Sequence, residues 1–406
     1  MTAHPPANTF TQVSGTAHPM PEQPGLDGEP VPPALPHRDR SRAYFARTAA
    51  DLNVTPFELV QFMIDAVPNF ATLHAAVRLE VFEILAGQEM TSDELAQACG
   101  ADPGAMRRLL RWLHAHEFVA ARRDRYRLTD LGHVLTKAAA PSQRHAVLVT
   151  GSPYWWEASC FLVETVRRGH PTPSDGLSLY EHLTHNPALG ADFDHFMTAR
   201  STAAGHDLAA IDDFAHVRTV ADLGGGLGGV LAAILRAHRH LQGILAERAD
   251  VAARAQTYLA EQGLADRVKL APGDLFDAIP ASAQRYLLLS VLHNYSDDDC
   301  LTLLTLVRQT MEGTGEDTEL WIVEGMLPSV PGAASRWYST DIRMMALFGG
   351  GQVRSSADYY RLTERAGLTI CKSMALASGQ TLLIARDCHT AHSAHEHSAH
   401  LHGGPQ

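Results

Sequence analysis

The stretch Val220-Ala221-Asp222-Leu223-Gly224-Gly225-Gly226-Leu227-Gly228-Gly229-Val230 places several glycines between two apolar runs. Glycine at Gly224, Gly226 and Gly228 lets the main chain take φ values closed to other residues and lets a ligand lie against bare backbone, the chemistry of a nucleotide-type pocket. Gly224-x-Gly226-x-x-Gly229 also satisfies the dinucleotide fingerprint, which keeps an NAD-dependent oxidoreductase as an alternative. Asp222 counts against it. Two residues before the first glycine, its carboxylate would repel a pyrophosphate, whereas it suits the cationic amino group of S-adenosylmethionine (SAM), a cofactor that carries a sulfonium and no phosphates.

Two further acids and one base stand where such a pocket needs them. Glu247 ends the run Gly243-Ile244-Leu245-Ala246 and can accept two ribose hydroxyls. In Gly273-Asp274-Leu275-Phe276, Asp274 can accept an adenine amino group while Leu275 or Phe276 packs on the ring. His293 follows the apolar run Tyr286 to Val291, and Glu324 ends Leu320-Trp321-Ile322-Val323. Imidazole is the side chain best suited to taking a proton near neutrality.

The elements that position these residues follow from periodicity. Thr219 to Leu223 reads as a buried strand, followed by a glycine turn and a helix through Leu231 to Leu235. Further strands are predicted at 243–247, 267–270, 286–291, 320–324, 368–374 and 381–385. Helices are predicted at 341–348 and about 356–366. Continuous apolar strands are the mark of a parallel sheet covered on both faces, and ligands bind such sheets at the C-terminal ends of the strands.

Upstream, Thr55-Pro56 opens a helix with Leu59, Val60, Met63, Ile64 and Val67 on one face. A second helix carries Leu73 to Leu85 and stops at Gly87, Thr91 opens a third with capping-box chemistry, and Asp102-Pro103 a fourth. Phe118 to Ala120 and Tyr126 to Thr129 then read as the strands of a wing. A winged helix admits a DNA-binding regulator as a reading, and Arg107, Arg108, Arg111, Arg122, Arg123, Arg125 and Arg127 form a basic cluster. The net charge of −12 opposes it, since phosphate neutralisation dominates such affinity. The cluster reads instead as solvated faces and salt bridges.

From about Ala43 to Arg386 the chain resembles the caffeate-type and bacterial polyketide-tailoring O-methyltransferases. The resemblance rests on Asp222-Leu-Gly-Gly-Gly-Leu-Gly-Gly229, Gly273-Asp-Leu-Phe276, Val291-Leu-His-Asn-Tyr295 and Ile322-Val-Glu-Gly-Met-Leu-Pro328 in this order. It implies an α/β fold: a Rossmann-like SAM-dependent catalytic domain behind a mostly helical winged-helix domain that dimerises the enzyme. It further implies methylation of an aromatic hydroxyl in secondary metabolism, with His293 as general base and Glu324 as the first of two steadying glutamates. Asn294 stands where the family usually has Asp, Val353 where the second glutamate is expected, and Leu289 where plant members place a lysine. These departures keep C- or N-methylation of an intrinsically nucleophilic acceptor open. The family uses the segment after Tyr154 and the helix at 341–348 as walls of the acceptor pocket. Trp155, Phe161, Phe196, Met197, Asn294, Met344, Met345 and Phe348 are the substrate-binding candidates.

Composition sets the remaining expectations. The chain has 406 residues, 45% of them hydrophobic, which suits two ordinary domains. Five separated cysteines without a CxxC pair indicate neither a disulfide framework nor a zinc site, so no metal is expected and the cytoplasm is the natural compartment. No apolar run approaches a membrane span. The expected organisation is a disordered tail at 1–40, a helical winged-helix dimerisation domain at 41–145, a catalytic domain at 146–387 with connecting helices at 153–205, and a His-rich tail at 388–406. The expected partners are a small-molecule acceptor and a second copy of the chain, with no nucleic acid and no membrane.

Overall fold

The computed structural model describes residues 55–171, 173–211, 214–312, 317–330 and 335–387. Both predicted tails, 1–40 and 388–406, lie outside the described residues. Thr55 caps as expected, in a capping box with Glu58, and Pro56 starts a helix that runs unbroken from Pro56 to Arg78. The predicted division near Val67 is absent. Pro68 is carried inside the helix, and the break comes at Glu80, whose φ of 59° interrupts the path before the helix Val81–Gly87.

The helices Ser92–Cys99 and Pro103–Ala115 come next, capped by Thr91 and Asp102. They pack Leu95, Met106, Leu110 and Leu113 against Val77, Phe82 and Val119. The wing is β2 (Val119–Arg122) with β3 (Arg125–Leu128). The two-residue β1 (Met90–Thr91), too short to leave a pattern in sequence, adds to the other edge of β3 to give the order β1-β3-β2. Of the basic cluster, Arg107 pairs with Asp93 at 2.8 Å and Arg125 with Glu94 at 3.3 Å. Phe57, Val60, Phe62, Met63, Ile64 and Val67 are each more than half exposed on the first helix.

The second sheet has strands β4 (Thr219–Leu223), β5 (Gln242–Glu247), β6 (Val268–Pro272), β7 (Arg285–Leu289), β8 (Glu319–Glu324), β9 (Leu368–Ala375) and β10 (Thr381–Asp387), in the order β6-β5-β4-β7-β8-β10-β9. The first five are parallel and the last two antiparallel. Side chains of β7 alternate between two cores. Tyr286 and Leu288 meet Leu303, Val307, Tyr359 and Leu362, while Leu287 meets Leu231, Leu235, Trp321 and Leu259 on the other face. Both faces are thus covered, which is why these strands are apolar without interruption. The chain order reverses between β4 and β7, so a crevice opens beyond their C-terminal ends.

A further apolar cluster, with Val149, Tyr154, Trp155, Leu179, Leu183 and Leu347, joins the connecting helices to the helix Trp337–Leu347. Among the described residues no helix is long and apolar enough to cross a membrane, and Cys99, Cys160, Cys300 and Cys371 are free thiols.

Candidate active site

On the β4 side of the crevice the chain turns through Gly224, Gly226 and Gly228, with φ of 72°, 59° and 82°, before the helix Gly229–Ala237. These left-handed conformations disfavour a side chain. A Cβ at Gly224 would stand 3.1 Å from Val291, while one at Gly226 would meet nothing within 4 Å, so Gly226 faces open space. Beneath the turn lies Asp222, 1% exposed, with its Oδ2 lacking any partner. Burial and then the charge of Glu247 push its carboxyl up to about 7. Glu247 ends β5. Its Oε2 accepts from the Gly226 N–H at 3.0 Å and its Oε1 from the Arg248 N–H at 2.8 Å, and burial raises its carboxyl against those two bonds.

Two buried carboxyl groups, one raised further by the charge of the other and left with an orphaned oxygen, form a donor set that accepts a cation and hydroxyls and repels phosphate. SAM fits that set. Leu275 approaches Gly224 closely, its Cδ1 3.7 Å from where a Cβ would be. Asp274 is exposed and its Oδ1 accepts from the Phe276 N–H at 2.9 Å, which turns the chain so that Phe276 meets Tyr295 edge-on at 5.1 Å.

On the β7 side, His293 does not end the strand. β7 stops at Leu289, Ser290 takes a φ of 56°, and His293 sits in the tight turn Leu292–Asn294 beyond. Its Nδ1 lies 2.6 Å from Oε2 of Glu324, the fully buried last residue of β8. Oε1 of the same carboxylate accepts from the Leu292 N–H at 2.9 Å and the His293 N–H at 3.4 Å. Nδ1–H therefore donates to the carboxylate, which assigns the tautomer and leaves Nε2 with its lone pair. A buried carboxylate that orients a histidine through Nδ1 leaves Nε2 able to accept a proton.

The turn is held from below by Arg354, 2% exposed. Its Nη1 donates to the Leu292 carbonyl at 2.9 Å, its Nη2 to that of Tyr295 at 2.8 Å, and its Nε to Asp297 at 2.8 Å. Gly351 lies against the same turn, where a Cβ would come within 3.0 Å of the His293 carbonyl and 3.1 Å of that of Asn294. Neither residue stands out in the sequence as a site residue. The glycine run before Arg354 is the one local signal that backbone approaches backbone there.

The remaining candidates divide. Trp155 and Met344, 7% and 6% exposed, are packed into the core. Phe348 tilts against Tyr180 with ring centres 5.7 Å apart, and Phe196 joins the same cluster, while Met197 and Met345 are half-buried. Phe161 lines a groove with Tyr154, Thr165 and Ala346 that includes neither His293 nor Glu324. Asn294 folds back, its Nδ2 donating to the Ser290 carbonyl at 3.4 Å. Val353 is buried, and its N–H donates to Asp341 at 2.8 Å. Tyr180, between Phe348 on one side and Arg248 on the other, bridges the two sides. It carries Arg248 over its ring at 5.1 Å, and the charge of nearby Glu247 adds to burial in driving its hydroxyl pKa up.

Comparison with known proteins agrees with this geometry. The O-methyltransferase domain matches residues 161–369 and the O-methyltransferase dimerisation domain residues 63–138. Mitomycin biosynthesis 6-O-methyltransferase of Streptomyces lavendulae is 30% identical over 343 residues, 84% of this chain and 95% of that one. Aclacinomycin 10-hydroxylase RdmB of Streptomyces purpurascens is 34% identical over 344 residues, 83% of this chain and 89% of that one. Among solved structures, an O-methyltransferase (NcsB1) from neocarzinostatin biosynthesis, in complex with SAM and 2-hydroxy-5-methyl naphthoic acid, is similar with a TM-score of 0.65. It is 28% identical, and the match covers 79% of this chain and 96% of that one. With both halves matched and relatives aligned over most of their length, this chain belongs to the SAM-dependent O-methyltransferases that join a dimerisation domain to a Rossmann-like catalytic domain.

Proposed function

We propose that this enzyme methylates a hydroxyl of an aromatic small molecule in secondary metabolism, with His293 as the general base and Glu324 holding its imidazole. The observation that carries this reading is the 2.6 Å contact between His293 Nδ1 and the buried Glu324 carboxylate. Bound SAM supplies an electrophilic methyl group on a sulfonium, so the protein's task is alignment and removal of one proton. Asp222 would hold the ammonium group, Glu247 the ribose hydroxyls and Asp274 the adenine amino group, with Leu275 against the ring and Gly224 and Gly226 offering bare backbone. His293 Nε2 would take the phenolic proton, freeing the oxygen's lone pair for the methyl group that SAM would give up as its thioether, and Glu324 would stabilise the resulting imidazolium. Phe348, Met345 and Phe196 line the acceptor, backed by Trp155 and Met344.

His293→Ala is the test. General-base loss costs on the order of 10²–10⁴ in rate, so the variant should bind SAM as the parent does and lose most turnover. Turnover near the parent rate overturns the assignment. That outcome favours a second reading, N- or C-methylation of an acceptor that needs no base. Buried Val353 and the turned-away Asn294, which leave His293 with a single carboxylate, support it.

We further infer that the enzyme works as a homodimer through its dimerisation domain, the exposed apolar stripe on Pro56–Arg78 being the surface covered. Its free thiols suit the reducing cytoplasm.

A further inference from the structure

The chain leaves the helix Trp337–Leu347 at Phe348 and doubles back along it. Gly350, at a φ of 94°, turns the path, and by Val353 the main chain is again beside the helix, its N–H donating to Oδ1 of Asp341 at 2.8 Å. Asp341 stands on the helical stripe that continues through Met344 and Met345, spaced so that their side chains share one face. Among the described residues this is the one hydrogen bond between residues 349–354 and that helix.

The same residues meet both members of the His293–Glu324 pair. A Cβ at Gly350 would stand 2.9 Å from that of Ser296, and one at Gly351 3.0 Å from the His293 carbonyl, so the two segments lie in close contact. Gln352 Nε2 donates to Asp297 at 3.1 Å. Buried Arg354 donates to the carbonyls of Leu292 and Tyr295, which flank His293, and its own carbonyl accepts from the Leu327 N–H at 3.0 Å, three residues beyond Glu324. Residues 349–354 are thus a strap with one grip on the helix and the others on the turn that carries His293 and on the chain that leaves Glu324. The strap has no slack. Val353, held by Asp341, and Arg354, which holds the turn, are consecutive, joined by one planar peptide that fixes their Cα atoms at about 3.8 Å. Where Asp341 stands therefore decides where Arg354 grips, and a misplacement of about 1 Å at a reacting group can cost on the order of 10²-fold in rate.

We propose that Asp341 is a positioning residue of the methyl transfer. Through Val353 and Arg354 it sets the register of the helix that carries Met345 against His293, so that the acceptor's wall and its base are held as one body. The inference rests on the acceptor and base reading above. Asp341 moves no proton in it and acts only through the alignment of His293.

The test is a double-mutant cycle on the full chain between Asp341→Ala and His293→Ala, read by single-turnover transfer of a labelled methyl group from saturating SAM to 2-naphthol. Asp341→Ala should lower the rate about 10- to 100-fold at saturating acceptor, with S-adenosylhomocysteine affinity in calorimetry as in the parent. Asp341→Asn, whose amide oxygen still accepts from the Val353 N–H, should recover most of that rate. In the His293→Ala background, Asp341→Ala should cost less than about threefold more, because no base is left to align. Independently of any acceptor, the downfield Nδ1–H proton resonance of His293, identified by its loss in His293→Ala, should shift in Asp341→Ala and return in Asp341→Asn. An Asp341→Ala rate within about threefold of the parent, or a loss that persists in full without His293, overturns the positioning role. An unmoved resonance does the same, as does loss of S-adenosylhomocysteine binding in Asp341→Ala, which would mark a general structural role. A fully active His293→Ala brings down the base reading and this inference with it, whereas a slow His293→Ala beside an unimpaired Asp341→Ala brings down this inference alone.

Discussion

Replacing Glu324 with Gln tests the base assignment at its support. In the parent, one buried carboxylate accepts from three N–H groups: Leu292 at 2.9 Å, His293 at 3.4 Å and His293 Nδ1 at 2.6 Å. Glutamine keeps the volume but has a single acceptor oxygen. If that oxygen serves Leu292, the amide NH₂ faces Nδ1 and the imidazole must move its proton to Nε2, where it can no longer take one from the acceptor. If the amide flips, its NH₂ opposes two backbone N–H groups and orphans a buried donor, at about 1–3 kcal/mol. In the favourable orientation the imidazolium also loses a charge-assisted bond of roughly 1.5–3 kcal/mol. With the cost of the wrong tautomer added, the barrier should rise by about 3–5 kcal/mol, or about 10²- to 10⁴-fold in kcat. Single-turnover methylation at saturating SAM reads the rate, and calorimetry reads cofactor affinity, which should not change. A rate within about threefold of the parent would refute the reasoning, because no general base tolerates that loss of orientation.

Gly224→Ala forces a side chain to a φ of 72° and against Val291, a strain of about 1–2 kcal/mol; it should weaken S-adenosylhomocysteine binding in calorimetry, and unchanged affinity would move the cofactor seat elsewhere. The Asp222 carboxyl, raised to about 7 from an ordinary value near 3.8, binds more protons folded than unfolded between those limits, so the ligand-free protein should lose stability as pH rises through that window. A cationic cofactor favours the ionised form, so its affinity should increase as pH rises through about 7, an increase that Asp222→Asn should flatten; a pH-independent affinity in the parent would separate Asp222 from the ammonium. Ile64→Asp, on the exposed apolar stripe, should yield monomers by light scattering at micromolar concentration, and a persistent dimer would place the interface on another surface.

Features governed by near neighbours in the chain were legible in the sequence. The cap at Thr55, the continuous apolar run of β7 and the glycine turn after β4 all arise from local chemistry, as does the Rossmann-like sheet they imply. The two helices expected from Leu59 to Val67 and from Leu73 to Leu85 divide elsewhere, because the residues after Pro68 carry the first helix on to Arg78 and only the left-handed Glu80 stops it. His293 and Glu324 could be named as residues, but not the turn that joins them, since nothing in Ser290-Val291-Leu292 announces a φ of 56° at Ser290. Arg354 reads as one polar residue after a glycine run, and its role as a clamp appears only when the fold brings it to carbonyls some 60 positions earlier.

The reversal of strand order between β4 and β7 has an evolutionary consequence. Asp222, the glycine turn and Glu247 hang from β4 and β5, while His293, Glu324 and the helix Trp337–Leu347 belong to the half of the sheet built from β7 and β8. The proposed donor seat and acceptor chamber thus hang from different halves of the sheet, and among the described residues no main-chain hydrogen bond joins them beyond the C-terminal ends of the strands. Substitutions in one that share no contacts with the other should act additively. A lineage built this way can try new acceptors by drift in the roof helix and its neighbours without risking the methyl supply, and a family in which a hydroxylase sits beside methyltransferases is what such freedom produces.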